Sequence, residues 1–165
     1  MALAGSAGAD VSPTQRALAR ELFQQGRALM AKKDYVKACA KLAESQRIDP
    51  ATGTLLNLAV CHEAEGKTAS AWAEFNDALS LSRQDGRKDR VELATKHIAN
   101  LEPRLSRLTI DVPPDARVAG LEIKLDDGRV GRTAWGTAVP VDPGTHTVRA
   151  LAAGCAAIVF TVDAP

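Results

Sequence analysis

Sliding the N-terminal part of the chain against itself by 33 positions brings like onto like: Leu22 falls on Leu55, Gly26 on Ala59, Ala38 on Ala71, Leu42 on Phe75 and Ser45 on Ala78. An offset of this size narrows the fold sharply. Each repeat must be one supersecondary unit that hides its apolar face only by stacking on the next. Small residues recur where two antiparallel helices have to approach closely, and large ones where they interlock.

The local signals agree with helices. Ser12-Pro13-Thr14-Gln15 reads as a capping-box start, with serine as N-cap, proline at the first helical position and glutamine three residues on. Leu18, Leu22, Leu29 and Met30 then recur at helical spacing, until Lys32-Lys33-Asp34 breaks the pattern. Asp34 is expected to cap a second helix that carries Tyr35, Ala38, Leu42, Ser45 and Ile48 and stops at Asp49-Pro50. A third helix is predicted from Gly53 to Glu65, and a fourth aligns Ala71, Phe75, Ala78 and Leu79. A fifth, from Lys88 to Glu102, aligns Val91, Ala94, Ile98 and Leu101 before Pro103.

With Pro50 at a repeat end, the residues of the 33-residue match resemble the tetratricopeptide repeat over about residues 17–84. Leu22 and Leu55 stand where that family has an early tryptophan, and Arg83 where a second closing proline belongs. The fifth helix reads as a cap, since the end of such a stack needs a polar outer face.

From Leu105 the apolar period changes from 3.6 to 2. Leu108, Ile110 and Val112 alternate with polar residues, as do Leu121, Ile123 and Leu125, and Asp127-Gly128 reads as a two-residue hairpin turn. Val139 and Val141 lead into the turn Asp142-Pro143-Gly144, followed by His146, Val148 and Ala150 and then by Ile158, Phe160 and Val162. Five or six short strands predict a small sandwich.

Leu125-Asp126-Asp127-Gly128, Gly131-Arg132-Thr133 and Val141-Asp142-Pro143-Gly144-Thr145-His146-Thr147-Val148 resemble the PEGA domain, a bacterial β-module, with Pro114-Asp115-Ala116 near its first turn. Ala134 replaces that family's proline after the threonine, and Cys155 the aromatic after glycine. Because these are turn residues, the match implies a fold far more than a function. Phrases such as Ser70-Ala71-Trp72-Ala73-Glu74-Phe75 and Leu101-Glu102-Pro103-Arg104-Leu105 resemble delta-proteobacterial, myxobacterial-type proteins that join the two parts. That resemblance implies an exported envelope protein and brings no catalytic residue.

The expected architecture is therefore α+β in two domains. A tail or signal-peptide remnant spans 1–11, a tetratricopeptide-like domain of about five antiparallel helices 12–104, and a PEGA-like antiparallel β-sandwich 105–165. Residues 13–104 carry 15 basic and 12 acidic groups and residues 105–165 carry 6 and 7, so neither half is a polycation and no nucleic-acid partner is expected. No apolar run approaches the roughly 20 residues of a membrane span.

Catalysis is not expected either. The chain has no nucleophile elbow, phosphate-binding glycine loop or H-E-x-x-H, and His62, His97 and His146 lie at no metal-ligand spacing, so no metal and no cofactor is predicted. His62 reads as a packing residue and His146 as a surface strand residue. Cys39 and Cys61 sit on neighbouring helices. In an oxidising compartment they can form a disulfide contributing about 3 kcal/mol; otherwise they pack as two buried thiols. Cys155 is left over, either buried or available for an intermolecular bond.

The binding reading rests on the concave face of the first helix of each repeat. Arg20, Phe23, Arg27 and Met30 are expected there from one repeat, and Leu56, Asn57, Val60 and Glu63 from the next. Arg27 and Asn57 pair a guanidinium with an amide, a combination suited to a peptide's terminal carboxylate. The functional expectation is a non-catalytic peptide- or protein-binding scaffold of the periplasm or envelope, its β half supporting the helices or contacting cell wall. A self-assembling structural protein (a homo-oligomer) and a cytoplasmic adaptor are the alternatives.

Overall fold

The computed structural model describes residues 11–165. The expected tail over 1–11 therefore lies, Val11 apart, outside the described residues. Five helices come first: α1 (Pro13–Ala31), α2 (Tyr35–Ile48), α3 (Thr52–Glu65), α4 (Thr68–Gln84) and α5 (Lys88–Leu101). The chain then becomes β, with strands β1 (Ser106–Thr109), β2 (Glu122–Leu125), β3 (Gly128–Val130), β4 (Ala138–Val141), β5 (Gly144–Leu151) and β6 (Ile158–Ala164). The layout is α+β.

Helix starts and stops follow local chemistry. The capping box forms at Ser12, whose Oγ accepts from Gln15 N at 3.2 Å while Ser12 N donates to Gln15 Oε1 at 3.0 Å. Asp34 stands at the N-cap of α2 without capping it. Its carboxylate accepts from Lys37 Nζ at 2.8 Å instead, because the ammonium three residues on competes for the same oxygens. Gly66 ends α3 with φ 91°, a conformation that suits glycine.

The 33-residue offset is expressed as burial. Ala38 and Ala71, Leu42 and Phe75, and Ser45 and Ala78 are buried in equivalent places of the α1–α2 and α3–α4 hairpins, as are Gly26 and Ala59. A Cβ on Gly26 would stand 2.7 Å from Leu42 Cγ, so only glycine lets α1 lie this close to α2. Ser45 Oγ donates to Ala19 O at 2.8 Å inside the same contact. Two apolar clusters result. One gathers Ala38, Cys39, Leu42, Leu58 and Cys61, and the other Leu56, Ala59, Phe75, Ala78, Ala94 and Leu101.

The β part is two antiparallel sheets. One runs β3-β2-β5-β6 and the other is the pair β1-β4. Val112, Ile123 and Val148 form the buried centre between them, with Trp135 packed alongside. The hairpin loop between β2 and β3 is Asp126-Asp127, one residue earlier than the sequence reading, because Leu125 pairs with Gly128. Asp126 takes φ 53° there and is held by its own side chain, which accepts from Thr147 N at 2.8 Å.

The four-stranded sheet extends beyond its two-stranded cover. Ile158, Phe160 and Val162, which alternation placed on one face of a strand, remain 55%, 57% and 37% exposed. Among the described residues, no strand pairs with the outer edge of β6.

The two parts are joined by more than the chain. Asp142, in the turn between β4 and β5, accepts from Ala69 N at 2.8 Å and Ser70 N at 2.9 Å, and from Ser70 Oγ at 2.5 Å. A carboxylate 72 residues downstream thus caps the start of α4, where the unpaired N–H groups and the helix dipole favour negative charge.

Candidate functional site

Four places could carry function, and the helical face expected to be concave comes first because the sequence points there. Arg20 and Arg27 are exposed, and the Arg27 guanidinium lies 5.9 Å from the Phe23 ring centroid. Phe23 and Met30 are half-buried against the α1–α2–α3 cluster. Asn57 donates its amide nitrogen to Gly53 O one turn back at 2.8 Å. Glu63 is engaged by α5, with Oε2 2.5 Å from His97 Nδ1, and His97 stacks on Phe75 at a centroid distance of 4.5 Å. Leu56, assigned by sequence to this face, is buried in the α3–α4–α5 core, since the helix turns it toward Phe75. Of the expected binding residues, Arg20 and Arg27 each offer a cation without an acidic partner among the described residues.

The second place is an open apolar groove in the β part, with a volume of about 570 Å³. Ile123 and Val148 form its floor, Leu108 and Ile110 one wall, and Ile158 and Phe160 the other. Cys155 lies on its lining and is an exposed free thiol, so of the two sequence alternatives burial is set aside. Among the described residues, Asp111 is the one charged side chain on its lining.

Between the helical and β parts lies a smaller cavity of about 400 Å³, lined by Ser70, Trp72, Pro140, Asp142 and His146 among others. His146 is not the surface residue the alternation implied. Its Nδ1 lies 2.8 Å from Asp126 Oδ2, and its Nε2 lies 2.7 Å from Asp142 O. The hydrogen bond that its Nδ1–H donates to the Asp126 carboxylate raises the His146 pKa above its ordinary 6.5, helped by the Asp142 carbonyl. The same bond lowers the Asp126 pKa below 3.8, helped by the Thr147 N–H. Trp72 Nε1 is buried without a hydrogen-bond partner.

The fourth place is the junction of α2 and α3, where Cys39 and Cys61 are bonded as a disulfide with Cα atoms 5.6 Å apart. His62 and Glu65 crowd the same junction. One potential donor atom from each of Cys39, His62 and Glu65 lies within 4.8 Å of the others. His62 Nδ1 is held by the Glu74 carboxylate at 2.9 and 3.0 Å. Sequence spacing missed this group because its members come from two helices.

No described helix is long and apolar enough to cross a membrane. Compared with family models, with curated proteins and with solved structures, the chain matches none.

Proposed function

We propose that this chain is a non-catalytic protein-binding scaffold of the bacterial envelope, a tetratricopeptide-like helical stack carrying a PEGA-like module. Its partner contact is an extended apolar segment laid along β6 and into the β groove. The observation that carries this reading is the edge itself. β6 runs seven residues with its outer edge unpaired, and it presents Ile158, Phe160 and Val162 to solvent beside an apolar floor.

Edge strands that need to stay single are usually protected by lysine, proline, a bulge or brevity. Ile158 to Val162 has none of these, and Asp163 is the strand's one charge. Strand addition draws its affinity from main-chain hydrogen bonds and its selectivity from pockets for alternate side chains. Both are available here.

The test is a titration of the whole chain with an end-blocked synthetic strand of alternating valine and threonine, read by NMR. Shifts confined to β6 and the groove, abolished by Phe160→Asp, are expected. Because Phe160 is more than half exposed, that variant keeps its melting temperature within about 1 °C. Shifts spread over the helices instead, or unchanged in Phe160→Asp, would sink the reading.

Self-assembly is the second reading, favoured by the same strand. An antiparallel β6–β6 pairing centred on Phe160 sets Ile158 against Val162 and Val159 against Thr161, with no like charges opposed. Mass that rises with concentration, and falls back in Phe160→Asp, selects it.

A further inference from the structure

We propose that the Cys39–Cys61 disulfide locks a zinc site, and that reduction opens it to a single Zn²⁺ held by Cys39, His62 and Glu65. This inference stands apart from the β groove and does not depend on it. Cys39 is 3% exposed, and the His62 and Glu65 side chains are each 15% exposed, so the donors gather in a largely water-free junction. Thiolate, imidazole and carboxylate together suit Zn²⁺, which takes three protein ligands and a water where a position is left open.

Two further observations point to a metal. The first is the orientation of His62. Its Nδ1 is held by both oxygens of Glu74, leaving Nε2 without a hydrogen-bond partner among the described residues. A carboxylate behind the ring nitrogen opposite the metal is the usual support of a zinc-bound histidine, fixing its tautomer and raising its basicity. The second is Glu65, whose Oε2 is buried and makes no hydrogen bond. Lys67 Nζ forms a salt bridge to that oxygen at 3.2 Å, which a metal would have to displace; the lysine side chain is 46% exposed, so its ammonium keeps access to water.

The two cysteines are not equivalent. Cys39 belongs to the donor cluster and Cys61 does not. Cys61 Sγ lies 3.6 Å from Tyr35 O, an acceptor for its S–H once the bond is broken. Cys61 is therefore the lock and Cys39 the ligand. The opening step balances with a dithiol reductant. The S–S bond breaks, two S–H bonds form, and the reductant's two thiols become a disulfide, passing two electrons and two protons. Zn²⁺ then displaces the Cys39 proton, since the thiolate is the ligand.

The experiment uses the whole chain with Cys155→Ser in every sample, so that the exposed thiol does not report. Protein reduced with a dithiol and stripped of reductant without oxygen is titrated with Co²⁺, then with competing Zn²⁺, while far-ultraviolet circular dichroism follows helicity. One equivalent of Co²⁺ with a thiolate-to-cobalt absorption band is expected for reduced protein, and no band for oxidised protein. Cys61→Ser binds without any reductant, within about threefold of the reduced protein, because losing a lock costs no ligand. Cys39→Ser loses the band. Glu74→Gln keeps it but weakens affinity by about tenfold or more, as loss of an orienting partner does. Equal binding by Cys39→Ser and Cys61→Ser overturns the proposal. So does reduced protein of intact helicity that takes up no metal, or reduced protein whose lost helicity metal does not restore.

Discussion

Gly26 shows how little room single residues have. Any side chain there must displace Leu42, which is itself fully buried. Gly26→Val is expected to cost about 2–3 kcal/mol by overpacking, read as a lower urea midpoint at unchanged m-value. Asp126 and His146 make a prediction of a different kind. Because the folded pKa of His146 is raised, its contribution is full below 6.5 and is lost as pH rises through the raised value. The lowered pKa of Asp126 gives a contribution that is full above 3.8 and lost as pH falls through the lowered value. The melting temperature should therefore fall on both sides of a plateau between about pH 4 and 6.5, and His146→Gln should remove the alkaline fall. A profile identical in the variant would show that the pair contributes nothing.

At the scale of elements, what could be read from the sequence depended on how far apart the interacting residues lie. Helices α1 to α5 were legible because a helix is written in its own residues: the capping box at Ser12, the breaks at Asp49-Pro50 and Gly66, and the recurring small and large positions. The strands were legible for the same reason, through alternation. Alternation put Ile158, Phe160 and Val162 on one face of a strand but could not say that the opposing sheet has only two strands, which leaves them exposed. The Glu63–His97 contact and the Asp142 cap join residues 34 and 72 apart on different elements, and no local pattern encodes either. The concave-face residues were named as exposed chemistry, yet Asn57 and Glu63 spend their polar atoms within the stack. At this scale Asp142→Ala should cost about 1–2 kcal/mol, as cap losses do, and should speed hydrogen exchange at the Ala69 and Ser70 amides first. Exchange unchanged at those two amides would mean water replaces the cap without loss.

For the whole molecule, the disulfide ties the first hairpin to the second by closing a 22-residue separation. Cys39→Ser with Cys61→Ser should lower unfolding free energy by about 3 kcal/mol in metal-free buffer, measured by urea melts against the oxidised chain. The loss should be shared by α1 and α2, which otherwise touch the rest of the stack mainly through α3.

The Asp142 cap has a mechanical consequence. The β part is fastened to the helices twice, once covalently where α5 runs into β1 and once by a carboxylate gripping the first turn of α4. A pull on a strand bound along β6, as proposed above, would divide between a covalent tether and a strut of three hydrogen bonds. The strut would be expected to yield first, leaving the β part held through the residues between Leu101 and Ser106. Load on such a strand would thereby reach the start of a single helix.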